Sequence, residues 1–85
     1  MNQTTHTKFC IEYLACNQDM GDLTDKECDL YRAWALRQIE SRYPTHIVSV
    51  TDRTGIVSTI TDDEENREDI VDFCSRLWDA CPWDF

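Results

Sequence analysis

Cysteine and histidine are the residue types in this chain that could supply a nucleophile, a general base or metal ligands. The sequence has five cysteines and two histidines, His6 and His46. Cysteine catalysis requires a base beside the thiol. A pairing of His46 with Cys10 or Cys16 stays open as an alternative, although no local motif supports it. We interpret His46 as an ordinary residue at the start of a strand, and we expect no catalytic residues.

The spacing of the cysteines does not indicate a metal site or a disulfide framework. No C-x-x-C motif is present, and the pairs Cys10/Cys16 and Cys74/Cys81 lie six and seven residues apart. Zinc sites use closer ligand spacing, and an odd number of cysteines in a reducing compartment favours free thiols. We therefore expect no metal and no cofactor, and we interpret the cysteines as small core residues.

Residue spacing also disfavours a phosphate-binding loop and a calcium-binding loop. Phosphate-binding loops are rich in glycine, whereas Gly21 and Gly55 each stand alone. The acidic run of residues 62–65 lacks the glycine turn around which a calcium-binding loop arranges its ligands. Because these carboxylates are expected on a solvated surface, nothing raises their pKa toward that of a general acid. We expect a binding protein and not an enzyme.

Negative charge is concentrated in the last third of the chain. The 85 residues have a net charge of −9, and from Asp62 onward nine acids face only Arg67 and Arg76. Such a field favours basic partners and opposes direct binding to nucleic acid or to anionic membranes. The six bases of residues 1–61 form no stripe that would hold a phosphate backbone.

The acids of this region recur at helical spacing. A helix is predicted from Asp62 to Pro82, with Glu65, Glu68 and Asp72 on one face and apolar residues on the other. Steps of three and four residues correspond to ~4.5–6 Å along a helix, close to the spacing of phosphates along a nucleic-acid strand. The predicted partner-binding residues are Asp62, Asp63, Glu65, Glu68, Asp69, Asp72 and Asp79.

The elements that position these residues follow a β-α-β-β-α pattern. Alternation predicts a strand over residues 7–16, and Thr24 with Glu27 predicts a capping box for a helix that ends before Pro44. Residues 46–51 and 56–61 are predicted as a β2–β3 hairpin, with Gly55 available for a left-handed position in its four-residue loop. We predict a single α+β domain over residues 1–85, frayed at 1–6, in which two helices pack on one face of a three-stranded sheet.

A second candidate surface comes from apolar residues that the predicted core does not explain. Leu30 and Trp34 are four residues apart on the first helix, off its main apolar arc. Either the core or the C-terminal tail covers them, or they form a partner-binding patch with Trp83, because exposed tryptophan is a frequent interface anchor. The same patch leaves a homodimer possible.

In size, charge, compact α+β pattern and absence of catalytic motifs, the chain resembles the small acidic proteins of phages and mobile elements that block host nucleic-acid machinery, including anti-CRISPR proteins. The leading hypothesis is a nucleic-acid mimic that blocks the basic nucleic-acid-binding groove of a host effector or nuclease. The alternative is a regulatory or immunity-type protein that binds through the Leu30/Trp34 patch. No long apolar segment is present, so we expect a cytoplasmic protein, in the host cell if it is phage-encoded.

Overall fold

Three strands, two principal helices and two short helical segments make up the chain over residues 8–83, which the computed structural model describes. The predicted frayed residues 1–6 lie outside this range. A 3-10 turn, Asn17–Met20, follows the first strand. The labelled elements are β1 (Cys10–Leu14), α1 (Asp25–Arg42), β2 (Ile47–Thr51), β3 (Thr59–Thr61), α2 (Arg67–Ser75) and α3 (Leu77–Ala80).

The sheet has the strand order β2-β1-β3 and is mixed. β1 pairs in parallel with β2, aligning Ile11 with Val48, and antiparallel with β3, aligning Ile11 with Thr61. The predicted class, a small α+β fold with a three-stranded sheet, is confirmed. The predicted β2–β3 hairpin is wrong, because β1 lies between the two strands.

The central position of β1 has a physical reason that the hairpin prediction overlooked. Ile11, Tyr13 and Leu14 are all buried, so β1 has apolar side chains on both faces and is the strand best suited to the middle. Helix α1 supplies the crossover that a parallel β1–β2 pair requires. Residues 52–58 then carry the chain past the end of β1 to its other edge.

The loop of residues 52–58 is fastened to β1 as it crosses. At its end, Leu14 N donates to Ser58 O at 2.8 Å, and at its start Arg53 Nη1 lies 3.1 Å from Glu12 Oε2. Gly55 has no positive φ, contrary to the sequence-based expectation. A Cβ at Gly55 would lie 3.1 Å from Leu14 Cδ2, so glycine serves here to let the loop close over Leu14.

Helix α1 begins and ends as the sequence predicts. Glu27 N donates to Thr24 Oγ1 at 3.2 Å and Thr24 N donates to Glu27 Oε1 at 2.9 Å, which completes the capping box. Tyr43 caps the other end by donating its N–H to Ile39 O, and Pro44 follows.

The predicted last helix is shorter than expected and is interrupted. α2 begins at Arg67 and not at Asp62, because Asp62 bonds to Cys10 N beside β1 and Asp63 bonds to Asn66, and neither continues the helix. Ser75 Oγ donates to Asp72 O at 2.8 Å and so takes the carbonyl that the N–H of Arg76 would use in an α-helix. Arg76 N turns to Phe73 O at 3.2 Å, and the chain restarts as α3.

One buried cluster lies between the sheet and the helices, which pack on the same sheet face as predicted. Ile47 and Ile60 point the other way and are exposed. Within residues 8–83, no helix has the length and apolar character needed to cross a bilayer. The cluster comprises Ile11, Tyr13, Ala15, Met20, Cys28, Tyr31, Ala35, Ile39, Tyr43, Ile70, Cys74, Leu77 and Cys81.

Candidate protein-binding surface

Asp63 is placed inside the protein and not on the predicted acidic surface. Its side chain is 1% exposed. Asn66 Nδ2 donates to Asp63 Oδ2 at 2.9 Å, and His46 Nε2 lies 2.7 Å from the same oxygen. These hydrogen bonds, from Asn66 first and then from His46, hold the pKa of Asp63 below its ordinary value. The predicted surface position of Asp63 is therefore wrong, because its carboxylate is buried and holds the turn that leads into α2.

His46 is the other half of this buried pair and not an ordinary strand residue. Its ring packs edge-on against Tyr43, with centroids 5.3 Å apart, and also contacts Phe9. His46 Nε2 lies against Asp63, and no hydrogen bond joins His46 to Cys10 within residues 8–83, so the alternative pairing with Cys10 is not formed. Cys16 lies beyond the opposite end of the strand. His46 and Asp63 are 17 positions apart in the sequence, so no local pattern indicates their contact.

Asp69 belongs to a network that joins the end of α1 to α2. The Tyr43 hydroxyl donates to Asp69 Oδ2, and Arg42 Nη2 lies 3.1 Å from Asp69 Oδ1. Arg42 also lies over the Phe73 ring at 5.1 Å. The hydrogen bond from Tyr43, followed by that from Arg42, lowers the pKa of Asp69. Asp69 is half-exposed, but its carboxylate already has two partners in its own chain.

The acids that stay exposed occupy α2 and the turn before it. Glu65 and Glu68 form no ion pair with any residue between 8 and 83, whereas Asp72 pairs with Arg76 at 3.2 Å and Glu64 lies 3.8 Å from Arg67. Glu64 was not among the predicted site residues. We call the set Glu64, Glu65, Glu68 and Asp72 the acidic surface.

The row of acids predicted from helical spacing is only partly formed. Glu68 and Asp72 are one turn apart on α2, as expected. Glu65 lies in the preceding turn, and Asp79 lies on α3 beyond the break, so neither continues the row. Asp62 is exposed, but its Oδ1 accepts a hydrogen bond from Cys10 N at 2.8 Å and so extends the pairing beside β1.

The predicted apolar patch is reorganised into an aromatic cluster around Tyr31. The Trp83 ring stacks on Tyr31 with centroids 5.2 Å apart, while Trp78 and Trp34 contact Tyr31 at 5.3 and 6.0 Å. Leu30 and Trp34 are half-buried, and Trp34 packs against the core. The more accessible members are Trp78, which is 40% exposed, and Trp83, which is 37% exposed.

A groove that sequence reasoning did not find runs between β3 and α2. It has a volume of about 530 Å³ and is lined by residues 57–61 together with Arg67 and Val71. Its sequence signal is the run of residues 56–61, Ile-Val-Ser-Thr-Ile-Thr, which contains no charge and no proline.

The five cysteines differ in their burial. All five are free, with Cys28, Cys74 and Cys81 buried as predicted and Cys10 and Cys16 more accessible than a core role implies. Burial raises the pKa of Cys74 to about 11 and raises that of Cys28 as well. Between residues 8 and 83, no group of three or more His, Cys, Asp and Glu side chains is arranged to hold a metal ion.

Comparison of the chain with known proteins found no matching family model, no similar curated protein and no similar solved structure.

Proposed function

We propose that this protein binds a basic protein surface of the kind that otherwise holds nucleic acid, and thereby inhibits a nucleic-acid-binding partner. The observation that supports this proposal is the selective exposure of the acids. Asp63 is buried and Asp69 is paired with Arg42 and Tyr43, whereas Glu65 and Glu68 of the acidic surface are exposed and form no ion pair within residues 8–83.

Electrostatics decides the kind of partner. A surface with few compensating bases, in a chain of net charge −9, attracts lysine- and arginine-rich grooves and repels phosphates. Binding of this type weakens steeply as salt rises, because the exposed charges are screened beyond about 8 Å at physiological ionic strength. We therefore propose a partner whose complex with this protein dissociates as the salt concentration rises.

The test measures capture, displacement by nucleic acid, and the role of named acids. The immobilised protein is exposed to a cell lysate at low salt, and bound proteins are eluted with double-stranded DNA. We expect nucleic-acid-binding proteins in this eluate. The triple variant Glu65→Lys, Glu68→Lys, Asp72→Lys should weaken capture about a hundredfold or more, because each reversal turns an attraction into a repulsion.

A matched control changes the same amount of charge elsewhere. Asp19, Asp22 and Glu40 are exposed acids outside the acidic surface, and replacing all three by lysine should leave most of the capture intact. Equal loss in the two triple variants would show that net charge alone matters. Undiminished capture by the first variant, or bound proteins that DNA does not displace, would contradict the proposal.

A second candidate function is binding through the aromatic cluster. It is favoured by the exposure of Trp78 and Trp83, which exceeds what a sealed core would leave. In that case Trp78→Ala should abolish capture, the lysine variants should retain it, and salt should matter little. Such a protein would fit the regulatory or immunity-type alternative, with Trp78 in place of Leu30 and Trp34 as its anchor.

A further inference from the structure

The groove between β3 and α2 is lined mainly by apolar side chains that face solvent. Val57 and Ile60 on its β3 side are about half-exposed, and Val71 on its α2 side is 39% exposed. The volume of about 530 Å³ lies in the range of about 300–1,000 Å³ that is typical of small-molecule sites. Apolar side chains gathered around one groove indicate a binding site, whereas scattered ones need no explanation.

Arg67 is the one charged residue in the lining of this groove. Its Nη2 donates to the Thr61 carbonyl oxygen at 3.3 Å, which holds the guanidinium beside the end of β3. The Nε and Nη1 atoms of Arg67 form no hydrogen bond with any residue between 8 and 83. A guanidinium presents its donors as a flat fork that matches the two oxygens of a carboxylate. Arg67 therefore keeps donors with which it can bind an acid.

The ion pair between Glu64 and Arg67 is long and exposed. Glu64 Oε1 lies 3.8 Å from Arg67 Nη2, and 83% of the Glu64 side chain is exposed. An ion pair of this kind contributes little to stability, because water solvates both charges. Glu64 is not part of the groove lining. The guanidinium can thus exchange Glu64 for a carboxylate that lies in the groove.

The charged and apolar parts of the lining are separated along the groove. Arg67 and Val71 are four residues apart on α2, so they lie on the same side of the helix, about 6 Å apart along its axis. Arg67 contacts β3 at Thr61, whereas Val57 precedes the strand at the other end of the lining. This polarity matches an aliphatic chain that has one terminal carboxylate.

Charge decides between the possible occupants. A basic segment would meet the guanidinium of Arg67, and a second copy of the chain would bring another net charge of −9. The overall negative charge also repels a carboxylate, but exposed charges are screened beyond about 8 Å at physiological ionic strength. A carboxylate bound to Arg67 lies at hydrogen-bond distance, where screening is weak. The local positive charge therefore favours an acid in this groove.

We propose that the β3–α2 groove binds a small amphiphilic carboxylate, an unbranched aliphatic chain whose carboxylate accepts hydrogen bonds from Arg67. The chain lies along Val57, Ile60 and Val71 and covers apolar surface that the fold leaves exposed. This site does not depend on the proposed function, because its lining includes none of the four residues of the acidic surface.

The test titrates the full chain with hexanoate, octanoate and decanoate, and it measures binding by calorimetry and by NMR. We expect the affinity to rise about fourfold with each added methylene, because each one buries further apolar surface. The matched probe is decyltrimethylammonium, which has the same chain and the opposite charge. It should bind about tenfold more weakly than decanoate or worse, because it cannot accept the hydrogen bonds of Arg67.

Variants of two arginines separate the site from the net charge. Arg67→Gln should weaken decanoate binding about tenfold or more, because a neutral amide replaces a charged fork. The control is Arg76→Gln, since Arg76 is exposed, pairs with Asp72 and does not line the groove. This control removes the same charge and should leave decanoate binding nearly unchanged. Val71→Ser keeps the guanidinium and should weaken decanoate binding more than hexanoate binding.

Several results would overturn the proposal. Decyltrimethylammonium that binds as tightly as decanoate, or equal losses in the two arginine variants, would show that no carboxylate site exists at Arg67. Affinity that does not change with chain length, or NMR shifts confined to residues outside the groove, would place the ligand elsewhere. Absence of decanoate binding below its micelle-forming concentration has the same consequence. If Arg67→Gln does not fold, Val71→Ser and the chain-length series still decide.

These outcomes are independent of DNA-displaceable capture, which tests the proposed function separately.

Discussion

The two halves of the sheet are built by different means. On one side, the eighteen-residue helix α1 joins two five-residue strands and carries a complete capping box. On the other side, β3 has three residues and α2 nine, and α2 has no side-chain hydrogen bond at its N-cap. The first half is built mainly by regular backbone hydrogen bonds. In the second half, hydrogen bonds of the Asp62, Asp63 and Ser75 side chains set where the elements begin and end.

From this difference we expect the first half to contribute most of the stability and the second half to contribute the partner-binding surface. Regular elements satisfy their own backbone groups and bury their apolar faces, and regions of this kind usually open last. The second half leaves a groove and an acidic surface exposed to solvent. The β1–α1–β2 half is thus the scaffold, and the β3–α2 half is the surface that it supports.

The largest expected effect compares a buried residue of the first half with an exposed apolar residue of the second. Ile39 on α1 is fully buried, so Ile39→Ala should lower the free energy of unfolding by about 2–5 kcal/mol. Val71→Ala, at the exposed groove wall, should change it by about 0.5 kcal/mol or less. Urea denaturation of both variants measures the difference, and equal effects would break the proposed division of the molecule.

The next effect concerns the buried pair of Asp63 and His46. Since hydrogen bonds from Asn66 and His46 lower the pKa of Asp63 in the folded state, its charge stabilises the fold above its unfolded pKa of about 4. This stabilisation is lost as the pH falls through the folded pKa. Asp63→Asn should therefore be less stable than the parent at pH 7, and the gap should close on acidification below about pH 4.

Denaturation curves at a series of pH values test this expectation, with Glu65→Gln as the control at an exposed position. The control should differ little from the parent at pH 7. A gap between Asp63→Asn and the parent that stays constant from pH 7 to pH 2 would show that the Asp63 charge does not stabilise the folded protein.

A smaller effect is expected at the helix cap that distinguishes α1. Thr24→Ala removes the acceptor for Glu27 N and should destabilise the protein by about 1 kcal/mol. Thermal unfolding followed by circular dichroism measures this change. Lys26→Ala, on the same turn but outside the capping box, is the control, and an equal loss in both variants would contradict a specific role for the cap.

The smallest effect is expected at the break between α2 and α3. Ser75→Ala frees the Asp72 carbonyl for the N–H of Arg76, so the two helices should merge with little change in stability. Far-ultraviolet circular dichroism should show slightly greater helicity. Loss of helical signal would instead show that the serine hydroxyl supports the helices.

The elements that could be predicted are those whose signals are local. The capping box at Thr24 and the stop at Pro44 fixed the bounds of α1, and alternation located β1 within the predicted residues 7–16. The β2–β3 pairing failed because strand order depends on which strand is buried on both faces. Leu14 is buried on the second face of β1, but this burial depends on the distant loop of residues 52–58, which closes over it.

The site shows the same limit. Helical spacing correctly placed Glu68 and Asp72 one turn apart, because spacing is a local property. It could not show that Asp63 meets His46, or that Asp69 meets Arg42 and Tyr43, since these contacts join distant parts of the sequence. The acidic run therefore predicted that this surface is negatively charged, but not which carboxylates bond to other residues of the protein.

The clustering of aromatic rings around Tyr31 has a spectroscopic consequence. All three tryptophans, Trp34, Trp78 and Trp83, contact that one ring. Intrinsic fluorescence therefore observes a single place, where the C-terminal segment docks on α1, while circular dichroism is dominated by the helices. If emission changes before ellipticity as urea is added, the tail has undocked from a chain that is otherwise folded, and a two-state fit does not apply.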